Sequence, residues 1–282
     1  MRLAPTLSGI ALTALATAAG ASERLFTYTY ESAVLAPGDR ELELWTTYRH
    51  GRRYYYRRVD ERAEFEVGVT ERLQTAFYLN FSSKTQAALD ASGNPTYDPT
   101  TGEAILEHES GVEGVSWEWK YKISDAVADA FGSAAYIEFS LGAEEYEVEL
   151  KGILDKKIGD DLVAFNLSYE AEWAFEPGFN RPEHFIEADL GWSHRLGGGL
   201  AAGLEVRSVS EYEYDRGESS YELAHSALFA GPVVHYTSPS FWATLTVLPQ
   251  VHAFQSEVAN DDRLELEARE RIEARLLFGT KF

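Results

Sequence analysis

The chain has 282 residues, no cysteine, 9 prolines, 13% aromatic residues and a formal net charge of −21. This acidic balance excludes a general nucleic-acid binder, which needs a basic surface, and the lack of cysteine excludes a disulfide framework. No internal stretch approaches the roughly 20 apolar residues of a transmembrane helix, so any membrane crossing must be made by strands closed into a barrel.

Met1 and Arg2 precede an apolar, alanine-rich run from Leu7 to Ala19 and then Ala19-Gly20-Ala21, a small-x-small cleavage site. This is the layout of a secretory signal peptide over residues 1–21. Cleavage after Ala21 removes Arg2, leaving 24 Lys and Arg against 46 Asp and Glu, a charge of 24 − 46 = −22. Residues 22–39 include "RLFTYTYESAVL". As a strand it would spoil an even strand count, so residues 22–39 are expected to form a leader lying in or under a barrel built from residues 40–282.

From Arg40 onward the sequence alternates with a period of two. In "RELELWTTYRH", Leu42, Leu44, Thr46 and Tyr48 share one face, and Glu41, Glu43, Trp45 and Arg49 share the other. The same pattern runs through "RVDERAEFEVGV" and "LQTAFYLNF", and it is clearest in "VSWEWKYKI", where Val115, Trp117, Trp119, Tyr121 and Ile123 oppose Ser116, Glu118, Lys120 and Lys122. It recurs at 135–141, 146–157, 163–175, 186–195 and 200–207, whereas 223–236 and 241–254 are apolar enough to leave their facing ambiguous. The closing "LELEARERIEARLLFGTKF" has the composition of a helix, yet apart from Leu277 its apolar residues fall on even positions from Leu264 to Phe282. That spacing lines one face of a strand and would be smeared around a helix. A strand of well over ten residues is longer than the usual five or six and suits a tilted bilayer crossing of roughly nine to eleven.

Twelve strands result, and their links alternate in character. Short, turn-like links at 70–72, 124–132, 158–161, 196–199 and 237–240 alternate with generally longer, polar ones at 50–57, 83–107, 142–145, 176–182, 213–220 and 255–262. The predicted fold is all-β: a closed antiparallel transmembrane β-barrel of about 12 strands, with short periplasmic turns and longer extracellular loops. A water-soluble β-sandwich would also alternate, but with shorter strands and its apolar face inward.

In a membrane barrel the polar face lines the lumen. The expected lumen acids include Glu43, Glu64, Glu66, Glu118, Glu138 and Glu149, followed by Glu170, Glu187, Asp189, Glu205, Glu267 and Glu273. Lys120, Lys151, Arg207, Arg269, Arg271 and Arg275 stand among them. A barrel of this size lies between side-chain-filled and channel-forming sizes. Its charges could pair and close the lumen, or line a narrow pore whose acidic excess favours cations. The expected function is a narrow passive channel or small-solute transporter, its solute unspecified; the alternative is a closed structural or lipopolysaccharide-interacting barrel. In the dense basic loop "RHGRRYYYRR", Arg52, Arg53, Arg57 and Arg58 are candidates for lipopolysaccharide phosphates.

No catalytic, metal or cofactor site is expected. A minor alternative is a surface lipid hydrolase using His108 and Ser110, two apart in "EHESG", but neither an orienting group nor an oxyanion hole accompanies them. Asp90, Asp98 and Glu103 lack the ligand spacing of an EF-hand.

With "LAPGDRELELW", "EFEVGVTERLQTAFYLNF", "AAYIEF", "EVELKGILDKK" and "LLFGTKF" in place, the chain resembles Gram-negative outer-membrane β-barrel proteins, and more narrowly a poorly characterised porin-like or transporter-like family. The resemblance implies location in the outer membrane and contact with its lipid and lipopolysaccharide. It also implies that a terminal aromatic strand, here carrying Phe278 and Phe282, is read by the barrel assembly machinery. Thr280 departs from that pattern, where a larger apolar residue is usual.

Overall fold

The computed structural model describes residues 23–175, 181–215, 217–256 and 263–282; the signal-peptide residues lie outside them. Twelve antiparallel strands form one closed barrel. They are β1 Arg40–His50, β2 Tyr56–Thr70, β3 Leu73–Ala87, β4 Leu106–Ser124, β5 Gly132–Gly142 and β6 Glu145–Ile158, then β7 Asp161–Ala174, β8 Glu183–Gly197, β9 Leu200–Asp215, β10 Ser220–Thr237, β11 Trp242–Gln255 and β12 Ile272–Lys281. Each pairs with its neighbours in sequence, and β1 closes on β12 from Glu41 opposite Lys281 to His50 opposite Ile272.

Burial alternates as the sequence does, with its sense inverted relative to a soluble protein. On β1 the buried residues are Glu41, Glu43, Trp45 and Thr47, while Leu44 is 49% exposed. Phe77 on β3 is 52% exposed, and Leu150, Leu167, Leu204, Leu245 and Leu276 likewise point outward. An apolar surface of this extent is not sustained in water, whereas an outward apolar band with a polar interior is the membrane-barrel arrangement. The sandwich is thereby excluded.

Two segments depart from the expectation. The last strand begins at Ile272, not Leu264, and is 10 residues long. Before it, side chains compete for the backbone: Glu265 Oε1 accepts the N–H groups of Glu267 and Ala268, while the Gln250 amide accepts from Glu265 N–H and donates to the carbonyls of Glu265 and Glu270. Such bonds draw a chain out of a ladder. Residues 263–271 therefore fold inward, burying Glu265, Leu266 and Glu270. In β10, register shifts beside Leu223, Ser226 and Leu228 break the alternation; bulges of this kind turn His225, Ser226 and Ala227 together into the interior.

Close backbone approach also shapes the wall. A Cβ on Gly203 would lie 1.8 Å from the Trp192 carbonyl oxygen and 2.7 Å from Ser193 Cα, both backbone atoms of β8. Gly203→Val should cost about 1–3 kcal/mol through overpacking, lowering the temperature at which the compact form on an unheated gel is lost. An unchanged transition would contradict this packing.

Candidate functional site: a strapped, charged lumen

Residues 23–39 contain no strand and run through the barrel interior. Arg24, Leu25, Phe26, Thr27, Tyr28, Thr29 and Tyr30 are buried in succession, as are Ser32, Val34 and Leu35. The strap starts beside the turn ends of β8 to β10, where Glu23 and Leu25 share a small cavity with Arg195, Gly199 and His235. It leaves at β1 and β2, where the Gly38 N–H donates to the Gly68 carbonyl at 2.8 Å. Both ends thus lie at the short-turn edge.

A strap outside any sheet has unpaired peptide groups, and buried ones must find partners. Barrel side chains supply them. Glu205, 0% exposed, accepts from the N–H groups of Thr27, Tyr28 and Thr29 at 3.1, 2.9 and 2.9 Å, and from the hydroxyls of Thr27 and Thr246. Asn166 accepts from Tyr30 N–H at 2.6 Å and donates to its carbonyl at 3.0 Å. Asp155 accepts from Ser32 N–H and hydroxyl, and Gln74 accepts from Leu35 N–H. Phe26 lies against Gly191, where a Cβ would meet its ring at 2.7 Å. The Tyr28 hydroxyl donates to Glu273 at 3.0 Å, and Tyr30 packs edge-on against Tyr136.

The predicted lumen residues fall into groups around this strap. Glu43, Glu64, Glu66, Glu118 and Lys120 are buried on β1, β2 and β4. Above them, Arg62 pairs with Glu138, and Lys151 lies 3.1 Å from Glu149 and 4.2 Å over the Tyr30 ring. Arg207 bridges Glu187 at 2.5 Å and Glu273 at 2.9 Å, with Asp189 buried on the same strand as Glu187. Arg275 donates to Thr47 and to the Thr27 carbonyl and covers the Tyr28 ring at 3.9 Å. Glu170 is half-buried in the wall of a cavity of about 290 Å³ at the long-loop end, with Arg49, Arg62, Glu145, Glu147 and Glu149.

Three members differ from their expected strand positions because residues 263–271 leave the ladder. Glu267 pairs with Arg53 at 2.5 Å, Arg269 pairs with Glu211 at 2.9 Å, and Arg271 is exposed. In the basic loop, Arg52 pairs with Glu270 and lies over Tyr56, and Arg58 pairs with Asp60; Arg57 is exposed on β2. Phe278 is exposed on the outer face against Phe241, and Phe282 is exposed near Phe65. His108 and Ser110 are both exposed, and His108 Nδ1 lies 3.1 Å from Thr85 Oγ1.

Sequence reasoning missed the apolar residues on the inner face: Ile153, Phe229, Val233, Leu248 and Leu277 are buried there, and Leu248 and Phe229 pack with Tyr28. The signal was present. Ile153 shares a face with Lys151 and Asp155, and Leu277 with Glu273 and Arg275; an apolar residue there requires an apolar partner inside.

A family model described as "Family of unknown function (DUF6662)" matches residues 18–282. The chain belongs to that family. None of the curated proteins matches the chain. Among solved structures, a NanC porin is similar at 10% identity and a TM-score of 0.51, covering 85% of this chain and 98% of its own. The β-domain of the Bordetella autotransporter BrkA is similar at 9% identity and 0.51, covering 87% and 100%. These are likenesses of fold. The DUF6662 chain folds as a bacterial outer-membrane β-barrel, and its outward apolar band sets it in the bilayer. Both strap ends lie at the short-turn edge, the edge that is periplasmic in barrels of this kind.

Hydrogen bonds to a charged group contribute about 1.5–3 kcal/mol each, so Glu205→Ala should loosen the strap enough to expose Arg24, which is 6% exposed in the native fold. Trypsin should then cut after Arg24 at least about tenfold faster than in the wild type, with Glu205→Gln between them. Equal cutting of all three would contradict the cradle.

Proposed function

We propose that the protein is an outer-membrane channel for small cationic solutes, held shut at its periplasmic half by the N-terminal strap. One observation carries this reading. A single cross-strand row places Glu41 opposite Glu66, Glu66 opposite Ala76, Ala76 opposite Glu118, Glu118 opposite Glu138, Glu138 opposite Glu149, and Glu149 opposite Glu170. Glu41 is the second residue of β1 and Glu170 the tenth of β7, so the row climbs from the periplasmic edge towards the outer cavity. Like charges directly opposite one another are destabilising. Arg62 and Lys151 pair with Glu138 and Glu149; the remaining excess is the lining expected where cations pass. The porin-like fold supports the same reading.

The density of strap bonds favours a second reading, a permanently closed barrel. Planar-bilayer recordings separate the two. The wild type should show rare, brief openings, and Gly191→Leu, which crowds Phe26, should show frequent ones. Under a salt gradient the reversal potential should report cation preference, and Glu149→Gln with Glu170→Gln should reduce it severalfold. Silence from both wild type and Gly191→Leu would leave the closed barrel; an anion preference would contradict the solute class.

A further inference from the structure

Five carboxylates are crowded on the β1, β2 and β4 wall beneath the strap. Glu41 and Glu43 on β1 stand directly opposite Glu66 and Glu64 on β2. Ala76 on β3 separates Glu66 from Glu118 on β4, and its small side chain lets the two acids reach towards each other. All five acids are buried, the most exposed being Glu66 at 6%. In two overlapping sets, Glu41 with Glu43 and Glu66, and Glu64 with Glu66 and Glu118, one oxygen from each residue lies within 4.8 Å of the others. Glu66 belongs to both.

Neutral donors reach only part of this cluster. Trp242 Nε1 donates to Glu41, Trp45 Nε1 to Glu43 Oε2 at 3.0 Å, and the Tyr78 hydroxyl to Glu118 Oε2. Three further oxygens, Glu43 Oε1, Glu64 Oε2 and Glu118 Oε1, are fully buried and have no hydrogen-bond partner among the described residues. The cations beside the cluster are Arg24 and Lys120. Among the described residues these two positive charges face a larger number of crowded carboxylates. An unpaired buried carboxylate oxygen is costly, and three in one enclosure are relieved either by protons or by a positive ligand that all of them can reach.

We propose that this cluster binds one calcium ion, with Glu66 as the shared ligand. The donors are all carboxylate oxygens, which select hard cations over zinc or copper. Calcium takes oxygens at 2.3–2.6 Å in flexible geometry, so carboxylates lying within about 5 Å of one another on three strands can share it, whereas magnesium demands a near-ideal octahedron. The bound ion ties β1, β2 and β4 together and offsets the charge that Arg24 faces from the strap. The site does not depend on conduction: a protein that binds the ion but never opens removes only the channel reading.

Terbium, a luminescent calcium substitute, tests the site in the full-length refolded protein. Trp45 and Tyr78 touch the cluster and should sensitise its emission. Emission should saturate at one ion per chain and be displaced by calcium. Glu66→Gln should weaken binding by roughly tenfold or more, whereas Glu145→Gln, in the outer cavity, should leave it unchanged. The wild type should also lose its heat-resistant compact form at a lower temperature in chelator than in calcium. If Glu66→Gln fails to refold, anomalous scattering from terbium-soaked wild-type crystals decides, with a peak expected between Glu66 and Glu118. No sensitised emission, emission that persists unchanged in folded Glu66→Gln, or an anomalous peak only in the outer cavity would overturn the proposal.

Discussion

Closure of the backbone ladder is the constraint on which the rest of this structure depends. Lipid offers no partner for a peptide N–H or C=O, so a sheet in the membrane survives only without an edge. The pairing of β1 with β12, from Glu41 opposite Lys281 to His50 opposite Ile272, removes that edge. Once it is made, a two-residue period leaves each side chain one choice of face. Leu44, Phe77 and Leu276 go to lipid, and the charged residues between them go inside.

The interior then faces a problem of its own, because charge crowded into a narrow barrel must be satisfied locally. Part of the solution is ion pairing, as in the Arg207 bridge between Glu187 and Glu273. The other part is the strap, whose unpaired N–H groups are donors that carboxylates can use. Glu205 takes three in succession, which satisfies the strap and the wall together. Sequestered acids and an irregular segment would each be costly alone; together they satisfy one another.

The fold was legible because lipid imposes alternation on every strand that touches it. Where that rule lapses, the period alone misleads. In "RLFTYTYESAVL" the alternating Thr and Tyr mimic a strand, but inside the lumen both faces are enclosed, and Thr27, Tyr28, Thr29 and Tyr30 are all buried. Between Leu264 and Arg271 the pattern of Leu and Glu is strand-like, yet Gln250 and Glu265 capture its backbone. Period alone does not report such side-chain competition. Charged positions such as Glu118 and Arg207 could be read from the sequence, but their partners depend on register across strands and on the strap's path.

A reversible lock on the strap tests the proposed gate most directly. The native chain has no cysteine, and the hydroxyls of Thr27 and Thr246 meet at the same Glu205 oxygen. Thr27→Cys combined with Thr246→Cys should therefore form a disulfide that fixes the strap to β11. In a planar bilayer the oxidised protein should be silent and its reduction should restore openings; equal conductance before and after reduction would contradict a gate formed by the strap.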